Sequence, residues 1–247
     1  MNFFKTGSTR KSNFSGNFTN FKDITSTQQS HLLKMYSTIV VGSMVTVLGV
    51  ASFMNGLFRL SSSFLGVIVG MALMYYITNS SDGSGSVSPT RMAAYLLICF
   101  LLGNSLGPLV LYGSYLNPVI IPTALATTCI IFVSLSFSVL FTKKRIPFYF
   151  TSLILTTTAY LALVSFFNVF TRSKLVDAFL SYASVLIYSF YVYYDTQKTL
   201  EAVSFGERDF LLHSLQLYLD AANIFSRIVV ILINRHQDEE EKRKKRY

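Results

Sequence analysis

Long runs of apolar residues, each nearly free of charge, recur along almost the whole chain. An α-helix rises 1.5 Å per residue, so about twenty apolar residues cross a hydrocarbon core of ~30 Å. Backbone polar groups within lipid must be hydrogen-bonded internally, and the sequence lacks the alternating ten-residue pattern of a membrane β-strand. The pattern therefore predicts an all-α bundle of seven transmembrane helices, at about 36–54, 60–79, 92–111, 118–141, 147–170, 178–196 and 210–234.

The composition favours a membrane protein over a soluble domain. Of the 247 residues, 51% are hydrophobic and only 13% are charged, about half the charged fraction of a typical soluble domain. A net charge of +9 is also found in proteins that bind nucleic acid. However, the basic residues lie in the termini and in short loops between the apolar runs, where they orient membrane proteins. We therefore expect a lipid bilayer as the partner, and no nucleic acid.

The charged residues also divide the chain into three parts. We predict a mobile basic tail over 1–31, a membrane domain over 32–234 and a charged C-terminal tail over 235–247. With the N-terminus in the cytosol, the cytosolic segments before the last span hold eleven Lys and Arg and the opposite loops hold three. That bias follows the positive-inside rule. The basic cluster after residue 241 contradicts it, so the side of the C-terminal tail stays open.

Two carboxylates lie inside the predicted spans. Asp195 ends the sixth span and Asp220 lies near the middle of the seventh. A charge at the centre of a bilayer costs at least ~2.5–3.5 kcal/mol, so such a residue indicates a functional site by default. Other polar residues share a helical face with these acids, at spacings of three and four. They are Tyr191 on the sixth span, and His213, Gln216, Asn223 and Arg227 on the seventh.

If the two polar faces meet, the carboxyls of Asp195 and Asp220 can share a proton, because two close carboxylates do not both ionise cheaply. The protonated pair would be closed by a hydrogen bond. The deprotonated pair would repel and attract a hard cation such as Ca²⁺, which prefers oxygen ligands. A structural alternative stays open: Asp195 lies at the membrane interface, and Asp220 pairs with Arg227 or His213 to fix the packing of helices.

Small residues predict where helices approach closely. Gly66 and Gly70 form one pair with the small-xxx-small spacing, and Gly103 and Gly107 form another, followed by Pro108. Such pairs let two helix backbones come together in a membrane.

Several ordered motifs make the chain resemble the Bax inhibitor-1 family. The resemblance covers about residues 20–234. No single motif is decisive, but the ordered set is highly specific. The motifs are Asp23–Leu32, Gly103–Pro108 (a Gly-x-x-x-Gly-Pro signature), Asn117–Ala124, Tyr194–Gln197 and Gly206–Asp220.

The resemblance implies a seven-helix fold with a central last helix, residence in the endoplasmic reticulum membrane, suppression of cell death and a pH-sensitive Ca²⁺ leak. Asp195 and Asp220 match the family's pH-sensing pair. Bacterial relatives hold this pair with an arginine in the second span. Here residues 60–79 carry no charge, and only Arg59 and Arg91 flank them. What replaces that arginine is left open.

Two other classes of function compete with an ion channel. An adaptor would regulate cell-death proteins or Ca²⁺ channels without conducting. An intramembrane aspartyl protease also uses two aspartates on adjacent spans. Such proteases resemble one another in a Gly-x-Gly-Asp motif around the second aspartate, where this chain has Leu217-Tyr218-Leu219-Asp220. The sequence shows no Ser/His/Asp arrangement, phosphate loop or cysteine-rich metal site. We therefore expect a non-enzyme without cofactor, with Ca²⁺ as the transported ion.

Overall fold

The computed structural model describes residues 25–57, 64–81, 87–141 and 148–245, with the side chains of 64, 65 and 148 left out. Most of the predicted basic tail therefore lies outside the described residues. Those residues form seven α-helices and no strand. The prediction of an all-helical bundle is confirmed. The helices are α1 (Ser26–Met54), α2 (Phe64–Asn79), α3 (Pro89–Leu116), α4 (Ile120–Phe141), α5 (Phe148–Thr171), α6 (Lys174–Ser204) and α7 (Phe210–Lys244).

Six of the helices, all except α2, are long and apolar enough to cross a membrane. Helix α2 has 16 residues, which span about 24 Å at 1.5 Å per residue. The first four residues of its predicted span, 60–63, lie outside the described part. Apolar side chains cover the outside of the bundle; on α5, for example, Leu155, Phe166 and Phe170 are more than 60% exposed. Such a surface is stable against lipid, as expected of a multi-pass membrane protein.

Four helices extend several residues beyond the predicted spans, and one of them is α3, which runs from Pro89 to Leu116 where 92–111 was predicted. Helix α1 begins at Ser26, where the backbone N–H of Thr25 donates to the Gln28 side chain at 3.0 Å. The predicted boundary between tail and membrane domain, at residue 31, therefore falls inside α1. Helix α6 continues to Ser204 and α7 to Lys244. Hydropathy reports only the part of a helix that faces lipid, whereas polar residues with high helix propensity prolong the helix into water.

The last helix is the centre of the bundle, as predicted. Helix α7 contacts α1, α3, α4 and α6. Its side chains point inward on several sides, and Leu211, Leu217, Ile224 and Val229 are fully buried. Any polar group on the inward faces of α7 is therefore shielded from lipid by neighbouring helices.

Helices α1 and α3 pack closely because glycines line their contact. A Cβ atom on Gly103 would lie 2.1 Å from the carbonyl oxygen of Thr46, and one on Gly107 would lie 2.4 Å from the Phe53 ring. Pro108 follows within α3, where it cannot donate a backbone hydrogen bond. Gly70 on α2 differs, because a Cβ there would meet no atom within 4 Å. The contact predicted at Gly70 is therefore absent from the described part of the chain.

Candidate functional site

A tight turn joins α6 and α7. Five residues, 205–209, separate the two helices, so they run antiparallel as neighbours. Gly206 closes the turn with φ +94°, a conformation that side-chain-bearing residues rarely adopt. The N–H of Glu207 then bonds back to the carbonyl of Ala202 at 3.0 Å. This hairpin places the two acidic residues of the spans on facing helix surfaces.

The carboxyl groups of Asp195 on α6 and Asp220 on α7 lie near enough to interact electrostatically. Asp220 is only 8% exposed, and its Oδ2 has no hydrogen-bond partner within the described residues. Two neighbouring carboxyl groups can form a hydrogen bond with each other only when one of them carries a proton.

One cation lies near the pair. Lys198 interacts electrostatically with Asp195, from which it is separated by less than one helical turn. Its side chain is exposed, so water screens much of this attraction.

His213 on α7 is paired with a histidine on α1. His213 Nδ1 lies 3.2 Å from His31 Nε2, and both rings are buried. Of the two facing nitrogens one donates and the other accepts, so the two imidazoles are not both fully protonated in this contact. The sequence indicated a hydrogen-bonding role for His213 but no partner, because spacing on one helix does not reveal a residue 182 positions away.

Among the described residues no hydrogen bond or ion pair joins the remaining polar residues of the α7 face to the acidic pair. Gln216 is half-buried. Asn223 donates to the carbonyl of Leu219, on its own helix, at 2.9 Å. Arg227 lines a cavity between α5, α6 and α7. It forms no ion pair with Asp220 or any other described carboxylate, since seven residues along a helix separate side chains by about 10 Å.

Tyr191 also points elsewhere. Its hydroxyl lies 3.0 Å from Thr158 Oγ1 on α5, so it links α6 to α5 rather than to α7. Among the described residues Asp220 forms no ion pair with Arg227, and His213 bonds to His31 instead.

A buried ion pair that the sequence did not predict lies at the start of α7. Arg91 Nη2 on α3 donates to Asp209 Oδ2 at 2.7 Å, with side-chain exposures of 4% and 3%. The same nitrogen donates to the carbonyl of Ile77 on α2 at 2.8 Å. Asp209 in turn accepts the N–H of Leu212 at 3.3 Å and so caps α7. This link ties α2, α3 and α7 together.

The surroundings of Asp209 keep it ionised. Burial acts to raise the pKa of this carboxyl, but hydrogen bonds from Arg91, Ser81 and the Leu212 amide outweigh burial and hold the pKa below its ordinary value. Arg91 therefore has its own carboxylate and does not contact Asp195 or Asp220. The sequence placed Asp209 within the Gly206–Asp220 motif but gave it no role. Its position three residues before Leu212 is an N-cap signal, but that signal does not identify Arg91.

The pair of carboxyls does not make a resident metal site. Within the described ranges no group of three or more His, Cys, Asp or Glu residues could hold a metal ion. Ca²⁺ takes six to eight oxygen ligands, and two carboxylates supply at most four.

Comparison with known proteins agrees with the fold and the motifs. The model of the family described as "Inhibitor of apoptosis-promoting Bax1" matches residues 28–237. The chain is 30% identical to probable Bax inhibitor 1 of Paralichthys olivaceus, over 95% of this chain and 98% of that protein. It is 27% identical to Bax inhibitor 1 of Homo sapiens, over 99% of this chain and 100% of that protein. It is also 27% identical to Bax inhibitor 1 of Arabidopsis thaliana, over 90% of this chain and 87% of that protein. Since the match spans the whole helical bundle, this chain belongs to the Bax inhibitor-1 family of multi-pass membrane proteins.

Proposed function

We propose that this chain is an endoplasmic reticulum membrane protein that suppresses cell death and provides a pH-sensitive Ca²⁺ leak. Its family membership supports the first part, since the relatives in animals and plants carry the name Bax inhibitor 1. The observation that supports the second part is that the carboxyl groups of Asp195 and Asp220 lie near enough inside the bundle to interact electrostatically.

In the closed state a proton bridges the two carboxyls and holds α6 against α7. Loss of this proton leaves two carboxylates at close range. At 4 Å and an effective dielectric constant of ~20, two like charges repel by about 4 kcal/mol. That repulsion is comparable with the stability of a whole small domain, so it is sufficient to shift the contact between the two helices.

The open state attracts cations. Two carboxylates expose up to four oxygen atoms, the ligand type that Ca²⁺ prefers. A Ca²⁺ ion passing the pair replaces the lost proton as the compensating charge. Because protonation closes the contact and deprotonation opens it, the leak should increase as pH rises through the titration of the pair.

The proposal includes no catalytic step and no cofactor; Ca²⁺ is the transported ion. The orientation proposed is an N-terminus in the cytosol, supported by the excess of Lys and Arg in the segments that would share that side. Residence in the endoplasmic reticulum rests on the family resemblance.

A non-conducting adaptor is the second candidate, favoured by the end of α7. This helix continues ten residues beyond the predicted span, and Lys242, Arg243 and Lys244 on it are exposed. A solvent-exposed basic helix end could bind an acidic surface of a cell-death regulator or a Ca²⁺ channel.

Reconstitution of the purified protein alone separates the two candidates. Vesicles loaded with Ca²⁺ should release it faster with the protein than without it, in the absence of any partner. Truncation after Gln237, which removes the basic end of α7, should leave this release unchanged. Vesicles that contain folded protein yet release no more Ca²⁺ than empty vesicles, at any pH tested, would contradict the leak and favour the adaptor.

A further inference from the structure

A cavity of about 400 Å³ lies between α5, α6 and α7, and neither Asp195 nor Asp220 lines it. Its volume falls in the range of ~300–1,000 Å³ that is typical of small-molecule sites. The lining is mainly apolar, from Thr158 to Val169 on α5 and from Leu180 to Tyr188 on α6. The guanidinium of Arg227 is its one charged group.

Thr158 on α5 bonds to Ile154 and Tyr191, but the polar groups that α6 and α7 contribute to this cavity have no hydrogen-bond or ion-pair partner among the described residues. Arg227 makes no ion pair or hydrogen bond, and the hydroxyls of Ser184 and Tyr188 make no hydrogen bond. Other serines of α6 behave differently: Ser181 and Ser189 donate to backbone carbonyls four residues earlier, at 2.9 and 2.8 Å. That local bond is the usual arrangement for a hydroxyl in a membrane helix. The cavity thus gathers one cation and free hydroxyl donors.

An unpaired guanidinium at this position is costly. Arg227 lies within the predicted seventh span and is half-buried. An arginine inside a bilayer costs roughly 2.5–3.5 kcal/mol or more, and such residues normally pair with an anion or reach the interface. The structure offers no carboxylate to Arg227 among the described residues. A bound anion would offset this cost.

The shape and the opening of the cavity indicate an acyl chain. The lining of α5 from Thr158 to Val169 extends about 16 Å along the helix axis, which makes the cavity long and parallel to the helices. At its edge Phe166 and Val169 are 61% and 67% exposed. A ligand can therefore enter sideways from the lipid.

We propose that this cavity binds one long-chain fatty acid, with its carboxylate on Arg227 and its alkyl chain along α5. The single positive charge matches the single charge of a carboxylate. Ser184 and Tyr188 donate hydrogen bonds to the same carboxylate, and the apolar lining covers the chain. This site is independent of the Ca²⁺ leak, because it uses other residues and another ligand.

Direct binding of radiolabelled palmitate to the full chain in phosphatidylcholine nanodiscs tests the site. Binding should be saturable, and Arg227→Gln should weaken it about tenfold, the loss of one charge-assisted hydrogen bond. Arg227→Lys should retain most of the affinity. Arg235→Gln is the matched control: it also removes one positive charge from α7, but Arg235 is 72% exposed and pairs with Glu239. It should bind as the wild type does.

Competition distinguishes the ligands. Unlabelled palmitate should displace the label, and hexadecanol, with the same chain and no charge, should displace it at least tenfold less effectively. Equal displacement by the two, or stronger displacement by a two-chain phosphatidic acid, would overturn the assignment.

Ser184→Leu fills the cavity and keeps Arg227, so it tests the site even if Arg227→Gln does not fold. Unchanged binding in a folded Ser184→Leu protein would also overturn it.

Discussion

Arg91 on α3 and Asp209 at the start of α7 form a buried ion pair at 2.7 Å. Asp209 precedes Asp220 by eleven residues, about 16 Å along the helix. The ion pair therefore fixes one end of α7 to α2 and α3, while Asp220 lies deeper along the same helix. Arg91, which flanks the second predicted span, thus has a carboxylate partner other than Asp195 or Asp220.

Removal of Asp209 should strongly destabilise the protein. Asp209→Ala leaves the guanidinium of Arg91 buried without its partner, which typically costs about 3–5 kcal/mol. Glu239→Ala is the control, since it breaks the exposed i,i+4 pair with Arg235 and should cost at most about 0.5 kcal/mol. Thermal unfolding in detergent measures both. Similar midpoints for the two variants would show that the buried pair does not hold the end of α7.

The stability that this ion pair provides should depend on pH only in acid. The pKa of Asp209 is below its ordinary value in the folded protein, and the carboxyl of an unfolded chain titrates near ~3.9. The contribution of the ion pair to the free energy of unfolding is therefore complete above the pKa of the unfolded chain. It is lost as pH falls through the pKa of Asp209 in the folded protein.

Unfolding of the wild type and of the double variant Arg91→Met/Asp209→Leu, followed against pH, measures this dependence. The difference between them should stay constant at neutral and mildly acidic pH and change only below about pH 4. A change near neutral pH would mean that Asp209 titrates there, contrary to its position beside Arg91.

Two glycines should respond oppositely to the same substitution. Gly103→Ala places a Cβ 2.1 Å from the carbonyl oxygen of Thr46, where backbone must move, and should cost about 1–3 kcal/mol. Gly70→Ala meets no atom within 4 Å and should be neutral or stabilising, by up to about 1 kcal/mol, because alanine favours a helix. Both are measured as unfolding midpoints. Equal loss in the two variants would contradict the close contact of α1 with α3.

Tyr191 should affect packing but not the pH response. Tyr191→Phe removes the hydrogen bond to Thr158 on α5, which should cost about 1 kcal/mol of stability. Since Tyr191 does not face the acidic pair, the pH at which the Ca²⁺ leak is half-maximal should stay the same. Asp195→Asn, on the same helix, is the matched comparison, because it should weaken or displace the pH response. A shift of the pH profile in Tyr191→Phe would place its hydroxyl in the gating contact.

The sequence predicted the local features of this structure well. Apolar runs of about twenty residues predict helices because the bilayer sets their length, and every predicted span overlaps an observed helix over most of its length. The spacing of polar residues on α7 predicted one inward face, but it could not predict partners on other helices. His31 lies 182 residues from its partner His213, and Arg91 lies 118 residues from its partner Asp209. Such contacts depend on how the helices pack, which no spacing along one helix reveals.

The proton shared by Asp195 and Asp220 is the central claim, and Ca²⁺ efflux from vesicles against pH tests it most directly. The wild type should release Ca²⁺ increasingly fast as pH rises. Asp195→Asn and Asp220→Asn, each with only one titrating group left at the contact, should show a weakened or displaced pH response while remaining folded. A pH profile identical to that of the wild type in both variants would contradict the account.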